Sequence, residues 1–143
     1  MVRVVIADDH NMVREAWELL LGRDPQLSII ASCSNGEEVI TICKNLNPDI
    51  VLMDINMEPV NGIDATKAIR EFSSEIKIIG ISVHTDLPYL NGLMQAGANG
   101  YVTKNSSGEE MIRAIMLVVK GEKYICKEIV TIQQNSVLDR NSN

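Results

Sequence analysis

The sequence of 143 residues has few cysteines, and none of them lies at the spacing of a metal site. There are three, Cys33, Cys43 and Cys126, an odd number that cannot pair completely within one chain. We therefore interpret them as free thiols in a reducing compartment, where they act as small buried hydrophobic side chains. Disulfides are not needed for stability, because a domain of this size buries roughly 70% of the surface that its unfolded chain exposes.

Long hydrophobic runs are also missing from the sequence. No apolar stretch approaches the roughly 20 residues that a membrane span requires. The first ten residues, MVRVVIADDH, place two acids where a signal peptide would have its apolar centre. We therefore expect a cytoplasmic protein that does not associate with membranes.

Basic residues are outnumbered by acidic ones. The chain has 13 lysines and arginines against 19 aspartates and glutamates, so its formal net charge is −6. A surface with this excess of negative charge repels the phosphates of nucleic acids and of anionic membranes. We expect no direct binding of nucleic acid by this chain.

Short apolar runs alternate along the chain with longer segments of helical period. Five runs are predicted to be strands: residues 2–7, 27–32, 50–53, 77–82 and 100–103. Most of them are apolar on both faces, which is typical of parallel strands covered by helices on both sides. The repeated strand–helix units predict an α/β fold with a doubly wound five-stranded parallel sheet.

The segments between and after the strands carry apolar residues at the spacing of one helix face. The predicted core faces are Val13, Ala16, Trp17 and Leu20; Val39, Ile42, Cys43 and Leu46; Ala65, Ala68, Ile69 and Phe72; and Met111, Ala114, Ile115 and Val118. Two pairs, Ser34 with Glu37 and Ser107 with Glu110, have the spacing of a capping box, and Gly121 ends the last helix. We expect one domain over residues 1–121 and a linker or tail over residues 122–143.

Charged and hydroxyl side chains lie at the carboxyl ends of the predicted strands. Asp8 and Asp9 follow the first strand, Asp54 follows the third, Ser82 ends the fourth and Lys104 follows the fifth. Each alone has an ordinary explanation as a helix cap, a turn former or a solvated charge. Together they place three acids, a hydroxyl and an ammonium at one edge of the sheet, which turn formation does not require.

Three adjacent carboxylates stay ionised only beside a cation, because they repel one another. A divalent ion together with Lys104 balances their charge, and carboxylate ligands suit Mg²⁺, which keeps part of its water shell. Asp54 is then a plausible nucleophile toward phosphorus, with the metal and Lys104 neutralising the transferring group. Ser82 would hydrogen-bond a phosphoryl oxygen and provide an element that responds to the modification.

The chain resembles the receiver domain of two-component response regulators over about residues 2–121. The strings that carry the resemblance are VVIADDH, PDIVLMDINM with Asp54, Ser82 at the end of the fourth strand, and GYVTK with Tyr101 and Lys104. The resemblance implies a flavodoxin-like fold with strand order 2-1-3-4-5. It also implies a regulatory domain that accepts a phosphoryl group rather than an enzyme.

The resemblance further implies a role for each matching residue. Asp54 accepts a phosphoryl group from a sensor histidine kinase, with Mg²⁺ as cofactor and Lys104 as the partner of the phosphate. The implied metal ligands are Asp9, Asp54 and the backbone carbonyl of Asn56, with Asp8 acting largely through water. Ser82 and Tyr101 form the switch pair, in which the aromatic ring turns inward on activation. Asn56 and His84 occupy the two positions that modulate the dephosphorylation rate.

The strings IADDHNMVRE and KNSSGEEMIRAIMLVVKGEKYI are similar to the LuxR/NarL type of response regulator. Members of this type continue into a helix-turn-helix domain that binds DNA and regulates transcription, and this sequence stops before one. We expect a segment cut in the linker between the two domains. The alternative is a stand-alone receiver that relays phosphate or binds a protein target. Homodimer formation on phosphorylation stays open at this point.

Two enzymatic or cofactor-binding readings compete with this interpretation. A haloacid-dehalogenase-like phosphatase needs an acid two residues after the nucleophile, where this chain has Asn56. A flavodoxin needs a loop rich in small polar residues after the first strand, whereas Asp8 and Asp9 would repel a flavin phosphate. We interpret His10 as a polar residue of the first helical turn, because Mg²⁺ prefers oxygen ligands. Glu58 departs from the proline that the family usually has at this position.

Overall fold

A computed structural model of the chain describes residues 1–83 and 87–141, with helix α6 described by its backbone alone beyond residue 135. The strands are β1 (Val2–Ala7), β2 (Leu27–Cys33), β3 (Ile50–Asp54), β4 (Lys77–Ser82), β5 (Gly100–Thr103) and β6 (Tyr124–Ile125). The helices are α1 (Asn11–Gly22), α2 (Gly36–Leu46), α3 (Gly62–Phe72), α4 (Leu87–Ala96), α5 (Gly108–Val119) and α6 (Lys127–Asn141). Strands and helices therefore alternate along the chain, as the apolar runs predicted.

The strands form one parallel sheet in the order β2-β1-β3-β4-β5-β6. The doubly wound flavodoxin-like architecture and the order of the first five strands are as predicted, but the prediction of five strands was wrong. The sixth is a two-residue strand on the outer edge of β5, with Gly100 opposite Tyr124 and Tyr101 opposite Ile125. Two residues are too few to give a recognisable strand period, so this strand arises from its backbone pairing with β5.

The sheet is buried on both sides between helices. The central strand β3 is buried along its whole length, and helix α1 contacts α5, while α3 contacts both α2 and α4. The predicted face of α5 is entirely buried. The last predicted core residue of the first three helices, Leu20, Leu46 and Phe72, is instead 40% exposed in each case. Each lies in the final helical turn, where the helix runs past the sheet.

The face of α1 departs furthest from its prediction. Trp17 is buried, but Ala16 is exposed, and Leu21, which the prediction omitted, is completely buried. The apolar side chains of α1 line an open groove of about 260 Å³, which Lys104 and Ser106 close on the other side. This part of the predicted core is therefore a surface groove beside the carboxyl edge of the sheet.

Helix caps explain where two of the helices begin. The Ser107 side chain accepts a hydrogen bond from the backbone N–H of Glu110, as the capping-box spacing predicted. At α2 the predicted pair was wrong by one residue, because Asn35 is the cap and accepts from the N–H of Glu38 at 2.9 Å. Asparagine caps a helix as well as serine does, and Glu38 takes the place that was predicted for Glu37.

The three cysteines are free and buried, as predicted. Burial raises the pKa of Cys33 to about 11 and that of Cys43 to about 12. Both thiols therefore stay protonated at neutral pH and behave as part of the core.

Candidate functional site

Asp8 is the first residue after β1 and has no solvent exposure. Its backbone N–H donates to the carbonyl of Cys33 at 3.0 Å, which fixes it beside the end of β2. Its Oδ1 accepts from the backbone N–H of His10 at 2.8 Å. The parallel pairing of β1 with β2 therefore directs this carboxylate onto the carboxyl edge of the sheet.

Asp54 is the last residue of β3 and is 1% exposed. Its Oδ1 accepts from the backbone N–H of Asn56 at 3.1 Å, and the following N–H, that of Ile55, donates to Ile81 at 3.2 Å. The α3 cap lies close behind, because Gly62 donates its N–H to the carbonyl of Ile55 at 2.9 Å. Strand β3 and its turn thus hold the Asp54 carboxylate in a buried and well-defined place.

Lys104 follows β5 and brings a cation to both acids. Its backbone N–H donates to the carbonyl of Ser82 at 2.9 Å, which aligns the ends of β4 and β5. Its Nζ lies 3.2 Å from Asp8 Oδ2 and 3.4 Å from Asp54 Oδ2, and its side chain is 9% exposed. One ammonium therefore serves two buried carboxylates.

The surroundings of Asp54 disfavour its ionised form when no further cation is present. Burial and the nearby charge of Asp8 raise its pKa to about 7, although Lys104 and the N–H of Asn56 act in the opposite direction. Desolvation is the largest of these effects. A second positive charge at this place would return Asp54 to its ionised form near neutral pH.

Asp9 and His10 complete the cluster from the outside. Asp9 is partly exposed, and His10 Nδ1 lies 3.1 Å from Asp9 Oδ1, 3.2 Å from Asp8 Oδ1 and 3.8 Å from Asp54 Oδ2. His10 is the residue before α1 rather than part of its first turn. The predicted place of His10 in the first helical turn was therefore wrong by one residue.

The cluster has the donors of a divalent cation site. One ligand atom from each of Asp8, Asp9, His10 and Asp54 lies within 4.8 Å of all the others. Asp8 Oδ2 is buried and lies 3.2 Å from the ammonium of Lys104, so positive charge already faces it. Hard carboxylate oxygens suit Mg²⁺, so the residues present fit the ion that the sequence predicted.

The two predicted switch residues lie on neighbouring strands. Ser82 ends β4 and Tyr101 is the second residue of β5, and both are fully buried. Asn56 reaches Asp54 through its backbone, while its side chain is exposed. The structure thus brings Asp8, Asp9, Asp54, Asn56 and Lys104 together and ties Ser82 to Lys104 through the backbone. Tyr101 lies on the adjoining strand, and His84 lies outside the described residues.

The last strand and helix contact this region in a way that the sequence analysis missed. Cys126 donates its N–H to the carbonyl of Tyr101 at 3.0 Å, and Thr103 Oγ1 donates to Glu128 Oε2 at 2.8 Å. The run of Tyr124, Ile125 and Cys126 after Gly121 was the available signal, but it is too short to distinguish a strand from a turn. The chain beyond residue 121 is therefore attached directly to the strand that carries Tyr101.

Glu58, which stands where the family usually has proline, faces solvent. It forms no ion pair within the described residues. Val83, the residue after Ser82, is also exposed, at 63%.

Among the described helices, none combines the length and the apolar character needed to cross a membrane.

Comparison with known proteins identifies the family of the chain. Residues 4–116 match the response regulator receiver domain family. The chain is 36% identical over 129 residues to the response regulator GacA of Pseudomonas aeruginosa, covering 90% of this chain and 60% of GacA. It is 34% identical over 124 residues to the transcriptional regulatory protein DegU of Brevibacillus brevis, covering 87% of this chain and 52% of DegU. The chain therefore spans about half to three fifths of the length of these relatives.

Two solved structures of response regulators have the same fold as this chain. A LuxR-family two-component response regulator from Aurantimonas superposes with a TM-score of 0.90 at 30% identity, covering 96% of this chain and 99% of that one. The receiver domain of the putative regulator NarL from Mycobacterium tuberculosis superposes with a TM-score of 0.82 at 27% identity, over 85% and 98% of the two chains. The chain belongs to the response regulator receiver domain family, and within it to the LuxR/NarL type.

Proposed function

We propose that Asp54 accepts a phosphoryl group from a sensor histidine kinase in a Mg²⁺-dependent reaction. The observation that carries this proposal is the buried carboxylate of Asp54, which shares the ammonium of Lys104 with Asp8 at the carboxyl edge of the sheet. Buried acids with strongly raised pKa values are concentrated at functional sites. The domain acts as a regulatory acceptor.

In the transfer, a carboxylate oxygen of Asp54 attacks the phosphorus atom of the donor. A P–O bond forms, the bond between phosphorus and the kinase histidine nitrogen breaks, and its electron pair leaves with that nitrogen. Positioning and charge neutralisation provide most of the catalysis in phosphoryl transfer. Lys104, 3.4 Å from Asp54 Oδ2, neutralises charge on the transferred group.

The cation site is assigned to four residues. Asp9, Asp54 and the backbone carbonyl of Asn56 would hold Mg²⁺ directly, and Asp8 would act through water. When bound, the ion supplies positive charge that keeps Asp54 ionised and offsets the charge of the phosphoryl oxygens. The convergence of Asp8, Asp9 and Asp54, whose carboxylate oxygens lie within 4.8 Å of one another, supports this assignment.

The response to phosphorylation runs through Ser82 and Tyr101. The Ser82 hydroxyl donates a hydrogen bond to a phosphoryl oxygen. The hydrogen bond from the Lys104 N–H to the Ser82 carbonyl transmits the resulting shift of Ser82 to the end of β5. Tyr101 lies in the next strand and is buried, and it acts as the partner of Ser82 in the switch. Asn56 and His84 set the rate at which the phosphoryl group is hydrolysed.

We propose that the domain regulates a DNA-binding effector domain of a longer protein. We assign residues 1–121 to the receiver and residues 122–143 to the connection with a DNA-binding effector domain that regulates transcription in the cytoplasm. The extent of the match to DegU and GacA, which this chain covers to 52% and 60%, supports this arrangement.

Intact mass after incubation with acetyl phosphate tests the acceptor chemistry. We expect one labile adduct of a single phosphoryl group in the native chain with Mg²⁺, and none with EDTA or in Asp54→Asn. Asp24→Asn is the matched control, because Asp24 lies in the exposed turn before β2. An adduct of equal yield in Asp54→Asn, or one independent of Mg²⁺, would refute the proposal.

A further inference from the structure

The turn that carries Lys104 is anchored at Thr103, the last residue of β5. Thr103 is 1% exposed and lies opposite Ser82 of β4 in the register of the sheet. Its carbonyl accepts a hydrogen bond from the N–H of Ser106 at 3.0 Å, which closes the turn around Lys104. Because Lys104 is the next residue, a displacement of Thr103 also moves the backbone from which the ammonium reaches Asp54.

The hydroxyl of Thr103 has its acceptor in the last helix of the chain. Thr103 Oγ1 donates to Oε2 of Glu128, in the first turn of α6, at 2.8 Å. Backbone bonds set the place of this acid, because Cys126 donates its N–H to the Tyr101 carbonyl at 3.0 Å and Val130 donates to the Cys126 carbonyl at 3.1 Å. A buried hydroxyl without an acceptor is costly, so Thr103 and the first turn of α6 are held together.

Glu128 lies beyond residues 4–116, the part of the chain that matches the receiver family. We propose that it is a positioning residue for phosphoryl transfer, because its hydrogen bond with Thr103 keeps the Lys104 ammonium within reach of Asp54. The inference rests on the proposed function of Asp54 and adds a residue of α6 to it. Since coupling between two sites is reciprocal, a phosphoryl group that shifts Lys104 also changes how firmly α6 is held.

The initial rate of phosphoryl uptake from acetyl phosphate, followed by intact mass, tests this role. We expect Glu128→Ala to slow uptake about threefold to tenfold, the effect of losing one ordinary hydrogen bond. Glu128→Gln should keep most of the native rate, because its amide oxygen accepts the same bond. The exposed Glu122→Ala is the matched control, since it removes the same charge from the same segment. Equal slowing in Glu122→Ala would overturn the proposal.

Thr103→Val identifies the hydrogen bond through which Glu128 acts, because it removes the hydroxyl and keeps a similar shape. We expect the variant that combines Thr103→Val with Glu128→Ala to be no slower than the slower of the two single variants. If the two effects on the uptake rate multiply instead, Glu128 does not act through Thr103 and the proposal is wrong.

Mg²⁺ affinity and stability separate positioning from a purely structural role. The proposed ligands of the ion are oxygens that Glu128 does not contact, so the Kd for Mg²⁺ in calorimetric titration should change much less than the uptake rate. Urea unfolding of the same variants reports the stability of the domain. A lowered free energy of unfolding in Glu128→Ala, together with the native uptake rate, would show a structural role only and overturn the proposal.

Asp54→Asn distinguishes failure of this inference from failure of the proposed function. If Asp54→Asn takes up no phosphoryl group while Glu128→Ala does so at the native rate, the acceptor stands and the positioning role does not. If the native chain and Asp54→Asn behave alike, the acceptor assignment is wrong, and the role of Glu128 falls with it.

Discussion

Single residues at the carboxyl edge are held by backbone geometry as much as by charge. The Asp54 carboxylate is fixed by the N–H of Asn56, and the chain behind it turns back so closely that Gly62 contacts its backbone. A Cβ at Gly62 would collide with the backbone carbonyl group of Asp54 and approach Ile55 Cα to 2.9 Å. Because these are backbone atoms, they cannot move without moving the proposed acceptor.

Gly62→Ala is expected to lower the free energy of unfolding by about 2 kcal/mol or more, and to slow phosphoryl uptake by Asp54. Urea unfolding measures the first effect and intact mass against time measures the second. Gly22→Ala is the matched control, because nothing lies within 4 Å of the Cβ it would add. An unchanged uptake rate in Gly62→Ala would show that this close contact does not position Asp54.

At the scale of elements, the end of the chain is attached to α5 and β5 by polar contacts. Glu110 Oε2 accepts from the hydroxyl of Tyr124 at 2.7 Å and from the N–H of Lys127 at 3.2 Å, which ties α5 to β6 and α6. Burial acts to raise the pKa of Glu110, but these hydrogen bonds outweigh it and the pKa is lowered. The acid was predicted to complete a capping box, and it instead holds the following strand and helix.

Glu110→Gln is expected to lower the free energy of unfolding by about 1 kcal/mol at pH 7, with the exposed Glu109→Gln nearly unchanged. A lowered pKa in the folded state stabilises the protein above the unfolded value of 4.5, and this contribution is lost as pH falls through the folded value. Urea unfolding at pH 7 and at pH 4 should therefore show the difference between native chain and variant shrinking. A constant difference would contradict the role of the charge.

The sequence was sufficient for the elements with a clear period and for the residues at their ends. The strand runs placed Asp8, Asp54, Ser82 and Lys104 at one edge, because carboxyl ends of parallel strands meet there. Strand β6 could not be predicted, since two paired residues carry no period. The turn that places His10 is local, because its N–H donates to Asp8 Oδ1, but the closeness of its ring to Asp54 and Lys104 depends on how the strands pair.

At the scale of the whole molecule, the site and the possible output surfaces share strands β4 and β5. Helix α5 packs on β4 and β5, the strands that carry Ser82 and Tyr101, and the Tyr101 carbonyl also accepts the N–H of Cys126 from the last segment of the chain. Under the proposed function, we therefore expect a change at the phosphoryl group to spread in two directions: into the α4–β5–α5 face, and into β6 and α6. Strand β2 is the edge strand at the far end of the sheet from β6, and helix α2 follows β2 in the chain.

Amide hydrogen exchange on phosphorylation should follow that division. We expect altered exchange in residues 87–119, with α2 (Gly36–Leu46) unchanged as the internal control. Beryllofluoride with Mg²⁺ provides a stable substitute for the labile phosphoryl group in this measurement. Unchanged exchange throughout residues 87–119, in protein shown to be fully modified, would contradict the proposed path.

The central claim, that Asp54 is the phosphoryl acceptor, is tested most directly by locating the modified residue. Borohydride reduces an aspartyl phosphate to homoserine, so phosphorylated protein can be trapped, digested and mapped by tandem mass spectrometry. The account predicts homoserine at position 54 alone, and only after incubation with both phosphodonor and Mg²⁺. Homoserine at position 8 or 9, or at several aspartates in similar yield, would contradict it.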